Sequence, residues 1–162
     1  LLILQALSRL PFGLSGFRPK ISFSISTPGF VVKTADTPEE LESALRLRHD
    51  VFFSERLGVT LPRHLDADRH DLEADHVLVI DETDGKVAAT YRILCSLFSD
   101  RFYSETEFEL GTLLKPNRVH LELGRACTSP AHRAATSRST SIIAKPPPKA
   151  KRSEATTGST AA

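Results

Sequence analysis

The chain has 162 residues, 40% of them hydrophobic and 25% charged, and a net charge of +1; the length suits about one domain and the composition a soluble globular protein. The near-zero charge hides an asymmetry, because from Arg133 onward six Lys and Arg residues face one acid, Glu154, so a body at −4 precedes a tail at +5. Cys95 and Cys127 sit in apolar, strand-like runs without CxxC spacing, which argues against a disulfide or a cysteine metal site and fits a reducing cytoplasm.

In chain order, Leu1–Leu10 is apolar but has no basic leader, and Pro11 and Gly13 interrupt it well short of the ~20 residues of a membrane helix. Neither cleavage nor a membrane span is expected. The absence of Met, even at position 1, points to a fragment or to a start codon read literally. Up to Ser26 the pattern supports a short helix and an extended piece at Ile21–Ile25, so residues 1–29 are set apart as a poorly defined segment. A strand is expected at Phe30–Thr34. Thr37-Pro38-Glu39-Glu40 then reads as a helix start, with Thr37 as cap, Pro38 at the first helical position and Glu40 completing a capping box. Leu41, Ala44, Leu45, Val51 and Phe52 keep near-helical spacing to about Leu57, and Gly58 ends it.

Arg63–His76 is polar, aperiodic and rich in Asp and His, and reads as a loop that carries function. His76–Asp81 and Lys86–Cys95 are β-branched strands joined by a turn at Asp84-Gly85. Ser104–Leu114 reads as a short amphipathic helix with Ser104 and Glu107 as cap candidates, and Val119–Thr128 as a fourth strand. The order β-α-β-β-α-β predicts an α+β fold. Beyond Arg133 the tail holds two isoleucines, no aromatic residue and Pro146-Pro147-Pro148, a composition too poor in apolar residues to fold, so residues 134–162 are expected to be disordered.

Arg48-His49-Asp50-Val51-Phe52, Asp68-Arg69-His70-Asp71, Gly85 to Leu94 (GKVAATYRIL) and Leu121-Glu122-Leu123-Gly124-Arg125 occur in this order, with Phe102-Tyr103-Ser104-Glu105-Thr106-Glu107-Phe108 before the last of them. Jointly they resemble the GNAT-like N-acyltransferases of ornithine-lipid synthesis, the family with members labelled hemolysin-like. The acyl-homoserine-lactone synthases look like cousins. The resemblance covers residues 30–133, read as a partial GNAT-like domain.

What the resemblance implies is direct attack of a neutral amine on a thioester. The donor would be the acyl-phosphopantetheine of acyl carrier protein, used as a substrate with no bound cofactor, and the acceptor an amino acid such as ornithine. Acyl carrier protein and the acceptor are then the expected partners, in the cytoplasm, with the inner membrane face as a candidate peripheral contact. A carboxylate or water chain must take the amine's proton, a backbone N–H of the fourth strand must meet the oxyanion, and the next helix must hold the phosphate.

Glu122 is the candidate base or amine-binding carboxylate, against the alternative of an ordinary strand ion pair. Arg125 lies three residues on, and so on the opposite face unless a bulge intervenes. Arg48, Asp68, Asp71 and Arg92 could order the loop and bind the acceptor's charges, Arg being suited to a carboxylate by its planar fork; the alternative is a solvated set of surface charges. Phe52, Phe102 and Phe108 are candidates for an acyl pocket, although aromatics at such spacing are more often core. Asp66, Asp68, His70, Asp71, Asp75 and His76 lack the glycine and distal Glu of a calcium loop and any H-E-x-x-H, so no metal is expected.

After Cys127–Arg133 no glycine-bearing phosphate loop follows, which implies a frameshifted or truncated enzyme with little activity. The competing functions are an acyl-homoserine-lactone synthase, which the F-Y-S-E-x-E-F stretch disfavours, and a non-catalytic fragment whose Lys145–Arg152 run binds an anionic surface. That run has no interleaved aromatic residue, and specific nucleic-acid binding is not expected.

Overall fold

The computed structural model describes residues 13–133. The apolar start of the chain, the basic tail and most of the segment after the last strand lie outside the described residues.

Five antiparallel strands form one sheet in chain order: β1 Ser24–Thr27, β2 Phe30–Thr34, β3 Asp75–Asp81, β4 Val87–Cys95 and β5 Leu121–Thr128. β2 to β5 are the four strands read from the sequence. β1 overlaps the end of the extended piece expected at Ile21–Ile25 but lies further along the chain, and all four of its residues are exposed. It pairs with β2 from Ser24↔Lys33 to Thr27↔Phe30. The loop between them is Pro28-Gly29, with Gly29 at φ 82°, the left-handed value that a tight turn needs and glycine supplies without strain.

Helix α1, Pro38–His49, covers one face of the sheet. Leu41, Ala44 and Leu45 are fully buried in a core shared with Leu14, Phe17, Leu65 and Leu78. Phe17 therefore ties the segment before β1 into the core, a contribution that the broken pattern of residues 1–29 concealed. Thr37 caps α1 as expected, its Oγ1 accepting the Glu40 N–H at 3.2 Å. The reciprocal half of the box is displaced, for Glu40 accepts from the N–H of Asp36 at 2.7 Å and not from Thr37. Thr37→Ala should cost about 1 kcal/mol in a urea titration, the usual worth of such a cap. A loss below about 0.3 kcal/mol would mean that the Asp36 contact already suffices.

The helical path continues to Leu57 as expected, but Asp50–Glu55 is a π-helical stretch. Widening the turn buries Val51 and leaves Phe52 half-buried. The path ends at Gly58, whose φ is 63° and whose N–H donates to Ser54 O at 3.1 Å.

The helix expected over Ser104–Leu114 does not form. A single 3-10 turn, Tyr103–Thr106, is followed by irregular turns. Ser104 is not its N-cap, a position that Phe102 takes with its N–H donated to Glu105 at 2.9 Å, and Glu107 sits at the C-terminal cap; Ser104 is drawn to β5. Only Leu110 and Leu114 pack on the small cluster of Ala74, Leu94 and Phe102, while Phe108 is 64% exposed. So narrow an apolar face does not offset the entropy of nucleating a helix.

Candidate active site

Arg48 lies near the C-terminal end of α1 and turns inward, its side chain wholly buried. Its Nε donates to Asp66 Oδ2 at 3.0 Å and its Nη1 to Asp71 Oδ1 at 2.7 Å. The loop that brings these aspartates is organised by its own side chains. Asp68 caps the short turn Arg69–Leu72 by accepting the His70 N–H at 2.8 Å, and Asp71 returns the contact by accepting the Asp68 N–H at 2.7 Å. Arg92 on β4 closes the network, its Nη1 lying 2.7 Å from Asp68 Oδ1 and 2.9 Å from Asp71 Oδ1.

Three arginines, counting Arg125, thus meet three aspartates in a largely water-free space. Burial by itself opposes the charges of Arg48, Asp71 and Arg92, and attraction to their partners outweighs it. Asp71 and Asp66 raise the Arg48 pKa above its ordinary value. Arg48 foremost holds Asp71 well below the usual carboxylate range. Arg48, Asp66 and Asp71 have no exposed side-chain surface, so they hold the loop to the sheet and present Asp68 and Arg92. Asp66 was noted in the sequence only as a metal candidate; a D-x-D-x-x-D run facing arginines on two elements was the signal for its role.

His76 on β3 lies under this network, fully buried, with Nε2 3.0 Å from the carbonyl oxygen of Asp71. That geometry assigns the proton to Nε2, which donates. Burial first, and then Arg48 and Arg92 working against the attraction of Asp71, lower its pKa from 6.5 to about 4. An unfolded chain therefore takes up this proton before the folded one does. Stability from this group is complete above about pH 6.5 and declines as pH falls toward 4, by roughly 3 kcal/mol in all. Urea titrations at pH 7.0, 5.5 and 4.5 should show the decline, and the variant His76→Gln should flatten it. An equal decline in the variant would assign the effect elsewhere.

β5 decides which side chains share the site face. Thr90 pairs with Cys127 and Arg92 with Gly124, so Arg125 and Ala126 together oppose Tyr91. This is a bulge, and Arg125 sits in it at φ 55°. The bulge turns Arg125 onto the face of Glu122, where its guanidinium lies 3.6 Å from Asp68 and 3.8 Å from Asp66. Glu122, opposite Leu94, accepts from the Ser104 N–H at 3.2 Å and from the Ser104 hydroxyl at 3.0 Å. Ser104 as the partner of Glu122 was not legible in the sequence, where it read as a helix cap.

Two cavities flank the bulge. A cleft of about 540 Å³ lies over the paired ends of β4 and β5 beside the bulge, lined by Val51, Phe52, Tyr91, Ala126, Cys127 and Arg133 among others. A cavity of about 370 Å³ lies beside Glu122, lined by Phe102, Ser104, Leu110 and Leu114 among others. Glu122 borders the second and not the first. The three phenylalanines proposed for an acyl pocket do not converge: Phe52 lines the cleft, Phe102 the smaller cavity, and Phe108 lies exposed on the surface. Burial pushes the Cys127 thiol up to about 11, so at neutral pH it is protonated and a poor nucleophile.

Beyond β5, Ser129-Pro130-Ala131-His132 begins a helical turn. The His132 ring bridges Ser129 Oγ at 2.5 Å and Asp81 Oδ2 at 2.9 Å, fixing the exit of β5 against the end of β3. Asp81 is lowered to about 2, chiefly by that His132 contact.

Comparisons with known proteins agree with this layout. Residues 47–141 match the family model described as acetyltransferase (GNAT) domain. The chain is 34% identical over 116 residues to the L-ornithine N(alpha)-acyltransferase of Rhodobacter capsulatus, covering 64% of this chain and 45% of that protein. It is 32% identical over 117 residues to the L-ornithine N(alpha)-acyltransferase of Brucella abortus, covering 64% and 42%. The chain thus spans less than half the length of these relatives. No solved structure matches. With an antiparallel sheet flanked by helices, a charged loop set against α1 and a bulged β5, and with the family match over more than half of its residues, the chain belongs to the GNAT acetyltransferase domain family.

Proposed function

We propose that the protein is an N-acyltransferase of ornithine-lipid synthesis, moving a fatty acyl group from the phosphopantetheine thiol of acyl carrier protein to the α-amine of ornithine or a similar amino acid. The observation that carries this is the convergence on one sheet face of Glu122 and Arg125 from β5 with Arg92 and Asp68, in a chain similar to two ornithine acyltransferases. In the proposed reaction the neutral amine attacks the thioester carbonyl, the C–S bond breaks after the tetrahedral intermediate forms, and the thiolate leaves. Glu122 accepts the amine's proton, directly or through water, and a backbone N–H of β5 meets the oxyanion. The Arg125 guanidinium has no close hydrogen bond to its aspartate neighbours and is partly exposed, so its fork can take the acceptor's carboxylate. Asp68 and Arg92 fix the wall beside it, and Arg48 and Asp71 support them from within.

The cleft over β4 and β5 beside the bulge, with Phe52 at its wall, is the proposed path of the thioester arm. No described helix is long and apolar enough to cross a membrane, and a cytoplasmic location with contact at the inner membrane face suits a water-soluble acceptor and a lipid product.

The test is turnover by the purified chain with acyl-acyl carrier protein or acyl-coenzyme A as donor, and L-ornithine or S-adenosylmethionine as acceptor. Mass spectrometry should find acyl-ornithine modified at the α-nitrogen, formed slowly, in keeping with the little activity expected from the sequence, and faster from the carrier-protein donor. Acyl-homoserine lactone in its place would move the protein to the synthase cousins, and no transfer from either donor would overturn the proposal.

A further inference from the structure

The turn that replaces the expected helix holds two contacts that the proposed chemistry does not itself use. Phe102 anchors the turn, buried against Ala74 and Leu94. Immediately after it, the Tyr103 ring meets two guanidinium groups, with Arg92 Cζ 5.5 Å and Arg125 Cζ 5.1 Å from its centroid. Ser104 then gives both its donors, N–H and hydroxyl, to the Glu122 carboxylate.

Arg125 depends on this ring more than Arg92 does. Arg92 has hydrogen bonds of 2.7–2.9 Å to Asp68 and Asp71. Arg125 approaches Asp68 and Asp66 no closer than 3.6 Å, and its buried Nε has no hydrogen-bond partner. An aromatic face attracts a guanidinium without consuming its N–H groups, so the ring can locate Arg125 and leave its fork free. Ser104 acts similarly on Glu122, which would otherwise rotate on a strand whose neighbouring residues Leu121 and Leu123 are exposed.

We propose that Tyr103 and Ser104 form a positioning clamp that sets Arg125 and Glu122 at a fixed separation and so matches the site to an α-amino acid, whose carboxylate and amine are held apart by one carbon. The clamp rests on the acyl-transfer function proposed above. Neither residue touches the reacting atoms; both act through β5. Misplacement of reacting groups by an ångström is enough to slow a reaction roughly a hundredfold.

The experiment pairs conservative and disruptive variants in the full chain. Tyr103→Phe keeps the ring and Ser104→Thr keeps the hydroxyl, whereas Tyr103→Leu and Ser104→Ala remove them. With L-ornithine as acceptor, Tyr103→Leu should raise the acceptor KM and Ser104→Ala should lower kcat, each by roughly tenfold or more, while both conservative variants stay within about threefold of the parent. Parent-like kinetics in the two disruptive variants, with circular dichroism showing them folded, would overturn the clamp. A second readout needs no turnover. In the ¹⁵N-labelled chain the Arg125 Nε–H resonance should carry a ring-current shift that persists in Tyr103→Phe and vanishes in Tyr103→Leu, and Glu122→Gln should move the Ser104 amide upfield. Resonances unmoved in both variants would overturn the clamp even if the parent is active. Shifts as expected in a chain that transfers no acyl group would retain the clamp and reject the acyl-transfer function.

Discussion

Replacing Arg48 with alanine will destabilise the fold by roughly 3–5 kcal/mol, the largest effect expected of any single substitution here. The reason is the pair it leaves behind. Asp66 and Asp71 are wholly buried, and Arg48 donates to both. Without it, two buried carboxylates share a low-dielectric space, with Arg92 hydrogen-bonded to Asp71 and Arg125 no closer than 3.8 Å to Asp66. One Asp66 oxygen already lacks a hydrogen-bond partner, so the removal deepens an existing deficit. Arg48→Lys should recover only part of the loss, because an ammonium cannot span Asp66 and Asp71 with the reach of a planar fork. Urea denaturation followed by circular dichroism measures both variants. An alanine variant within about 1 kcal/mol of the parent would mean that water or Arg125 enters to replace the lost charge, contrary to the closed geometry observed.

The second large effect falls on chemistry and leaves stability nearly unchanged. On the proposed function, in which Glu122 takes the amine's proton, Glu122→Gln should reduce acyl transfer to ornithine by roughly 10²–10⁴-fold, the usual contribution of a positioned proton acceptor. The amide preserves the shape of the side chain and an oxygen for the Ser104 donors, but it cannot take the amine's proton. The loss should appear mainly in kcat and should shrink as pH rises, since more of the amine is then already neutral. Turnover within about threefold of the parent at pH 7 would remove Glu122 from the reaction and leave a water chain as the acceptor. Glu122→Ala separates the two roles, because it also leaves the Ser104 N–H and hydroxyl without their partner.

Both predictions depend on features that differ in how far they could be read beforehand. Local chemistry settled much of the scaffold. Thr37-Pro38 started α1, Gly58 stopped the helical path, Asp84-Gly85 turned β3 into β4, and the alternation of Val119–Thr128 marked β5. The joint order of the arginine, aspartate and glutamate motifs pointed to the family that the chain belongs to. Each of these signals lies within a few residues, where propensity, capping and pleat act.

What local signals could not decide was where the side chains finally point. Arg48 reads equally as part of a loop-ordering network or as a charge on a solvated helix face, and its burial could not be read, because the partners that neutralise it come from 18 and 23 residues away. Ser104 reads as a helix cap, yet it serves a carboxylate 18 residues on, and the helix it was to cap does not form. An extended piece was legible at Ile21–Ile25, but only pairing with β2 sets the strand at Ser24–Thr27. The bulge at Arg125 is the sharpest case. A period of two places Arg125 opposite Glu122, and one unpaired residue, visible only against the β4 register, brings both to the same face. By itself the sequence determined the elements, their order and the kinds of charge available, because these follow from neighbours along the chain. Only the tertiary structure decided which charges are buried and which meet, because desolvation and strand register are set by residues distant in sequence.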